Sequence, residues 1–174
     1  MAKATKWVYF FGGGKVEGDG TMRAVLGGKG AGLAEMTRIG LPVPGGFTIT
    51  TEACAEFSKR NKRWPAGLDD QVKQQLRKLE RVCKKKFGDS KDPLLLSVRS
   101  GAAVSMPGMM ETILNLGLND ESVEGLARAS RNRRFALDAY RRFIMMYGST
   151  AKGVERELFD EALDAVKDRE TRGR

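Results

Sequence analysis

Glycine is unevenly spread along this 174-residue chain: nine of its 21 glycines lie between Gly12 and Gly32. Glycine adopts positive φ without penalty and loses the most conformational freedom on folding, so such a stretch cannot be one long strand or one unbroken helix. It must be short elements joined by tight turns. Trp7-Val-Tyr-Phe-Phe11, aromatic and β-branched, reads as a strand that Gly12-Gly13-Gly14 ends. At the far side, Gly27-Gly28-Lys29-Gly30 reads as a turn before a helix over Ala31–Ile39, with Leu33, Met36 and Ile39 as its buried stripe. Gly40 and Pro42 stop that helix.

Downstream, Phe47-Thr-Ile-Thr50 alternates like a strand, and Thr51 can cap a helix that turns Ala53, Cys54 and Phe57 inward. After Pro65 and Gly67, a helix opens at Asp69 or Asp70, carries Val72, Leu76, Leu79, Cys83 and Phe87 on one face, and ends at Gly88. Leu94–Val98 has the continuous apolar pattern of a strand buried on both faces. Ser100–Met110 is a loop of small residues, and Thr112–Leu116 is a further strand. The texture then turns helical. Asp120 or Ser122 caps a helix to about Ser130. Arg133–Tyr147 follows, with Phe135, Ala139, Phe143, Ile144 and Tyr147 inward and Gly148 as its stop. Glu155–Lys167 is the last, with Leu158, Phe159, Ala162, Leu163 and Val166 inward, before a charged tail expected to fray. The fold class is α+β, with an α+β lobe at 1–118 and a helical subdomain at 119–174.

The chain contains no histidine, which removes His-based triads, HExxH zinc sites and a phosphohistidine carrier from its chemistry. Cys54 and Cys83 form no CxxC pair and are expected to be small buried apolar residues rather than reactive thiols. No apolar run approaches the ~20 residues of a membrane helix, and Trp7–Phe11 is shorter than a signal-peptide core, so the chain is expected to be cytoplasmic and away from membranes. The formal charge is +9. Twelve Lys/Arg face four Asp/Glu between Lys59 and Lys91, and six Arg face Asp138 alone between Arg128 and Arg142. Such faces attract phosphate, on a nucleotide or a nucleic acid, or are simply solvated.

Two segments have residues suited to phosphate. At Gly27-Gly28-Lys29-Gly30, bare backbone, a helix N-terminus and a full positive charge coincide. It is no Walker A loop, since Arg23 stands where that pattern needs Gly and Gly30 where it needs Ser/Thr. A tight turn with a solvated Lys29 is the alternative. In Ser97-Val-Arg-Ser-Gly-Ala-Ala103, Arg99 ends a strand and could fork onto a phosphate, or could be tied to a carboxylate or to backbone carbonyls. Met106, Met109 and Met110 could pack on a base or fill a core. Asp19, Glu35 and Glu111 are the carboxylates nearest these loops in sequence, and none forms a paired metal motif.

Several strings together are similar to one family. Leu26-Gly-Gly-Lys-Gly-Ala-Gly-Leu-Ala-Glu-Met36, Gly40-Leu-Pro-Val-Pro44 with Gly46-Phe-Thr-Ile-Thr-Thr51, and Leu96-Ser-Val-Arg-Ser-Gly-Ala-Ala-Val-Ser-Met-Pro-Gly-Met-Met110 followed by Thr112–Leu118 resemble, in order and spacing, the start of pyruvate phosphate dikinase. Tyr140-Arg-Arg-Phe-Ile144 and Met146-Tyr-Gly148 extend the likeness. Phosphoenolpyruvate synthase shares the early strings, but Trp7-Val-Tyr-Phe and Ser105–Met110 favour the dikinase. The resemblance implies the first lobe of an ATP-grasp-like nucleotide-binding domain. It implies a family reaction that interconverts ATP, phosphate and pyruvate with AMP, pyrophosphate and phosphoenolpyruvate through a phosphohistidine. It also implies that Lys29 and Arg99 contact phosphate. Gly28, Gly30, Ser100, Gly101, Ala102, Ala103, Gly108, Met109, Met110 and Thr112 would then line or cover the nucleotide. Gly45, where the family usually has Pro, and Glu111, where it often has Asp, are small departures.

By the same resemblance, the Mg²⁺ ligands that accompany ATP belong to a second lobe absent from this chain, as do the carrier histidine and the pyruvate domain. The chain is therefore expected to bind ATP or AMP without turnover alone. Another reading is a regulatory or subunit-like module that meets the second lobe in trans. Self-association through exposed apolar surface is also expected. Nucleic-acid binding is the least favoured reading, since Trp64, Phe135 and Tyr140 are the few aromatics near the basic stretches.

Overall fold

The computed structural model describes residues 5–100 and 112–172. Its helices and small sheets are mixed, as an α+β chain requires: six helices and seven short strands among the described residues. Contacts group the chain into two compact units. Among the described residues, the first comprises 5–85 with Ser100, and the second 86–99 with 112–172.

In the first unit, β1 (Val8–Gly12) is the central strand of an antiparallel sheet, flanked by β2 (Lys15–Val16) and β3 (Gly46–Ile49). Gly13 and Gly14, both at positive φ (59° and 74°), make the two-residue turn that pairs Gly12 with Lys15. Two consecutive left-handed residues match the twist of the strands they join, which is why glycine stands at both. β1 is covered on both faces: Val8 and Phe10 are enclosed on one, and Phe11 is buried on the other. On one side Val8 joins Ala53 and Leu68, from α2 (Thr51–Lys59) and α3 (Leu68–Cys83). Tyr9 and Val16 pack against Leu26, Ala31 and Ala34 of α1 (Arg23–Arg38). Gln71 holds the strand's start, accepting from the Trp7 and Val8 amides at 2.7 and 3.2 Å.

Several expectations give way here. The buried stripe of α1 is Leu26, Gly30, Ala31 and Ala34, while Met36 and Ile39 are exposed and Leu33 half-buried; at Gly30, where the helix crosses Thr48 of β3, there is no room for a side chain. Thr50, not Thr51, caps α2, its hydroxyl accepting from the Ala53 amide at 3.2 Å. Cys54 is exposed and Cys83 half-buried, so neither is a core residue. α3 ends at Cys83, where left-handed Lys84 breaks the ladder, and exposed Phe87 lies beyond it.

In the second unit the apolar run splits into β5 (Pro93–Leu94), parallel to β4 (Lys86–Phe87), and β6 (Leu96–Arg99), antiparallel to β7 (Thr112–Leu116). Leu94 is buried, but Val98 is exposed, so the run is not covered on both faces. Neither Asp120 nor Ser122 caps α4 (Ser122–Ser130): Glu121 is at the cap with no side-chain bond, and Asn119 Oδ1 ahead of it accepts from the Glu121 and Ser122 amides. α4 packs on α5 (Arg133–Lys152) through Val123, Ala127 and Ala136. α5 does not stop at Gly148 but runs on to Lys152, with left-handed Gly153 as its cap. Phe135 is exposed, and the inward positions are Ala136, Ala139 and Gly148. α6 (Arg156–Arg172) outlasts the expected Lys167. None of residues 156–170 is fully buried, and Leu158 and Val166 are exposed rather than inward.

Candidate functional site

Gly27 divides α1. Its φ of 67° and ψ of 170° are not helical, so Arg23–Leu26 is a separate turn and the regular helix begins at Gly28. The expected turn of four residues is thus a single residue, and Gly28, Lys29 and Gly30 form the helix's first turn. The first N–H groups of a helix have no intrahelical acceptor and carry the positive end of its dipole. The two flanking glycines are bare for different reasons. A β-carbon at Gly30 would lie 2.8 Å from Thr48 Cγ2 and 3.2 Å from Leu26 Cβ, so the packing of α1 on β3 excludes a side chain. At Gly28 a β-carbon would meet no atom within 4 Å. Packing therefore does not explain Gly28.

Lys29 is exposed. Its Nζ donates to the Ser100 carbonyl across 3.4 Å, near the limit of a hydrogen bond, and no carboxylate pairs with it among the described residues. Arg99 is the last residue of β6 and stands directly across from Thr112 on β7. The strand pairing therefore brings together two residues nominated separately from the sequence. Arg99 is exposed; its Nε reaches Ser97 Oγ at 3.4 Å, and among the described residues no carboxylate holds it. A guanidinium in that condition keeps its planar fork for a bidentate acceptor. A register shift between Leu96 and Val98 lies just before it, the kind of irregularity that re-aims side chains. Gly101, Ala102, Ala103, Gly108, Met109 and Met110 lie outside the described residues, as do Met106 and Glu111.

Sequence reasoning missed Glu17, and it named Glu35 and Asp19 only as possible metal neighbours, not as groups that hold the glycine-rich stretch in place. Glu17 accepts from the Phe10 amide at 3.0 Å and pairs with Lys78 at 3.0 Å and Lys6 at 3.2 Å. Burial pushes its carboxyl up, but the Phe10 amide and the two lysines outweigh this and hold it below the usual range. Lys78 also lies 4.0 Å from the Phe10 ring centroid, a cation–π contact. Glu35 accepts from the Gly20 amide at 3.1 Å and from Arg38, which together pull its carboxyl down to about 2, Arg38 contributing most. Asp19 is bound to Thr21. With these carboxylates engaged, and no group of three His, Cys, Asp or Glu residues close together among the described residues, this part of the chain does not fit a protein-built Mg²⁺ cage.

Residues 23–80 and 64–167 match the family described as pyruvate phosphate dikinase, AMP/ATP-binding domain. The chain belongs to that family. Both cation-bearing segments, Gly28–Gly30 and Leu96–Thr112, fall inside the matched residues. The pyruvate, phosphate dikinase of Rhizobium meliloti (strain 1021) is 53% identical over 164 residues, 94% of this chain and 18% of the relative. That of Giardia intestinalis is 54% identical over 169 residues, 95% of this chain and 19% of the relative. A chloroplastic pyruvate, phosphate dikinase of Flaveria pringlei is 54% identical over 162 residues, 93% and 17% respectively. The chain thus spans about a fifth of the length of these relatives.

Proposed function

We propose that this chain is the ATP-binding N-terminal part of a pyruvate phosphate dikinase-like phosphotransferase. Residues 1–118 then act as the first lobe of an ATP-grasp-like domain, holding all the phosphate-binding loops, and 119–174 as a helical subdomain. One observation carries this reading. The match to an AMP/ATP-binding domain covers Lys29 and Arg99, exposed cations that no carboxylate neutralises among the described residues. A polyphosphate is the acceptor such cations suit, because it is multiply charged and offers paired oxygens.

In this reading Lys29, with the Gly28 and Gly30 amides, takes one phosphate group at a helix N-terminus. Arg99 takes another through its fork, and the Ser100 and Thr112 hydroxyls add hydrogen bonds. Gly101–Met110 covers the nucleotide. Mg²⁺ travels with ATP, and the described residues do not supply its ligands. The chain has no histidine to accept a phosphoryl group, so it binds ATP or AMP and does not complete the family's reaction alone. Turnover would require further protein, in the same polypeptide or in trans, in the cytoplasm.

Displacement of a fluorescent ATP analogue separates this from polyanion binding. ATP and pyrophosphate should displace the analogue at concentrations where single-stranded nucleic acid of equal phosphate content does not. Displacement by nucleic acid alone would favour the basic faces instead. Production of phosphoenolpyruvate by the chain alone would contradict the assignment of a binding part.

A further inference from the structure

Gly27 breaks α1 in a conformation, φ 67° and ψ 170°, that essentially only glycine adopts. An α-helical bond from the Gly28 amide back to the Ala24 carbonyl needs helical angles at residues 25, 26 and 27. Gly27 does not have them, so the break parts that donor from that acceptor. The two halves of the broken pair then have different surroundings.

The acceptor is taken up. Thr51, the first residue of α2, donates its hydroxyl to the Ala24 carbonyl at 2.5 Å, across 27 residues of chain. Ala24 is exposed, so water could donate to its carbonyl. A side-chain donor there does more than satisfy the group: it fixes the direction in which the Arg23–Leu26 turn enters the break. Thr51 has no capping duty that would otherwise account for its hydroxyl, because Thr50 caps α2. Thr48 of β3 supports the same corner from beside Gly30. The donor is not taken up. Among the described residues no strand or loop carbonyl accepts from the Gly28 amide. It opens the first turn of the regular helix, beside the Lys29 side chain that no carboxylate neutralises. A carbonyl tied off while its former amide stays open is the arrangement an anion site at a helix N-terminus needs.

We infer that Thr51 is a positioning residue for the phosphate site: by holding the Ala24 carbonyl it keeps the Gly28 amide free for a phosphate of the nucleotide. The inference rests on the reading of Lys29 and its helix turn as a phosphate site. Without the hydroxyl, a helical Gly27 returns the Gly28 amide to Ala24 and closes the turn.

Pyrophosphate titrations of the full chain, followed by calorimetry and by backbone amide resonances, test it. Thr51→Val keeps the side chain's shape and removes the hydroxyl. It should weaken pyrophosphate binding about 5- to 10-fold, the effect of one hydrogen bond. Thr51→Ser keeps the hydroxyl and should bind within about twofold of the wild type. Gly28→Pro separates positioning from a structural role. Proline suits the first helical position and follows extended residues, but it has no amide proton. Gly28→Pro should itself weaken binding, and adding Thr51→Val should then cost less than about twofold more. In the wild-type chain the Gly28 amide resonance should shift as pyrophosphate binds, a result that needs no variant to fold. Failure of the wild-type chain to bind pyrophosphate would overturn the phosphate-site reading and this inference with it. Where the wild type binds, four results would overturn the inference alone: an unmoved Gly28 amide, a Thr51→Val chain that binds normally, a Thr51→Ser chain as weak as Thr51→Val, or a valine effect as large in Gly28→Pro as in the wild type.

Discussion

At Gly30 a β-carbon would press on Thr48 and Leu26, whereas at Gly28 it would meet open space at a helical φ. Gly30→Ala should therefore destabilise the chain by about 1–3 kcal/mol through overpacking. Gly28→Ala should leave urea stability unchanged or raise it by up to ~1 kcal/mol, since glycine is a poor helix former. Comparing the two unfolding midpoints checks both. The motif was legible in the sequence as four glycine-rich residues before a helix. The asymmetry inside it was not, because it depends on β3, a strand sixteen residues further on. Glu35 was noticed only as a potential metal neighbour, yet the structure makes it a brace for the Gly20 amide. Its carboxyl is held at about 2, below its unfolded value, so it favours the folded state above about pH 4.5 and loses that contribution as pH falls toward 2. The Glu35 side-chain resonance should titrate near 2 in the folded chain. Glu35→Gln should flatten the acid limb of the stability profile; a midpoint near 4.5 in the native chain would contradict the brace.

Among the elements, the presence of strands and helices was readable and their limits only in part: α4 ends near Ser130 as expected, but Leu94–Val98 falls into two strands and α5 and α6 outlast their expected ends. Thr112–Leu116 is the strand expected of it, and Gly117 follows at positive φ. Gly148 carried the signal of a helix stop, yet α5 passes through it. The reason is tertiary: a β-carbon there would lie 2.4 Å from Phe159 Cζ, so the glycine is a seat for the α6 ring. Ala139 is inward as expected, but Phe135, Ile144 and Tyr147 of α5 and Leu158 and Val166 of α6 are exposed. A 3.6-residue stripe shows that a helix is two-faced, not which half meets its own unit. Gly148→Ala should keep α5 helical but expel Phe159. Amide exchange should then quicken across α6 and stay slow in α4, where Val123 and Ala127 hold the core. Uniform protection in the variant would show that this contact does not anchor α6.

For the whole molecule, the family was the most legible property, because its strings run in order over nearly the full chain and the match spans residues 23–167. The division into two contact units could not be read from local pattern, since it follows from residues 86–99 pairing and packing with segments beyond residue 111. The central claim is that Lys29 and Arg99 are nucleotide-phosphate contacts, and calorimetric titration with ATP and Mg²⁺ tests it most directly. The wild-type chain and Arg77→Ala, an exposed basic position outside the proposed site, should bind alike. Lys29→Ala and Arg99→Ala should each lose about 1.5–3 kcal/mol, roughly 10- to 100-fold in affinity, as expected for a charged hydrogen bond. Binding unchanged in both variants, or lost equally in Arg77→Ala, would contradict the account.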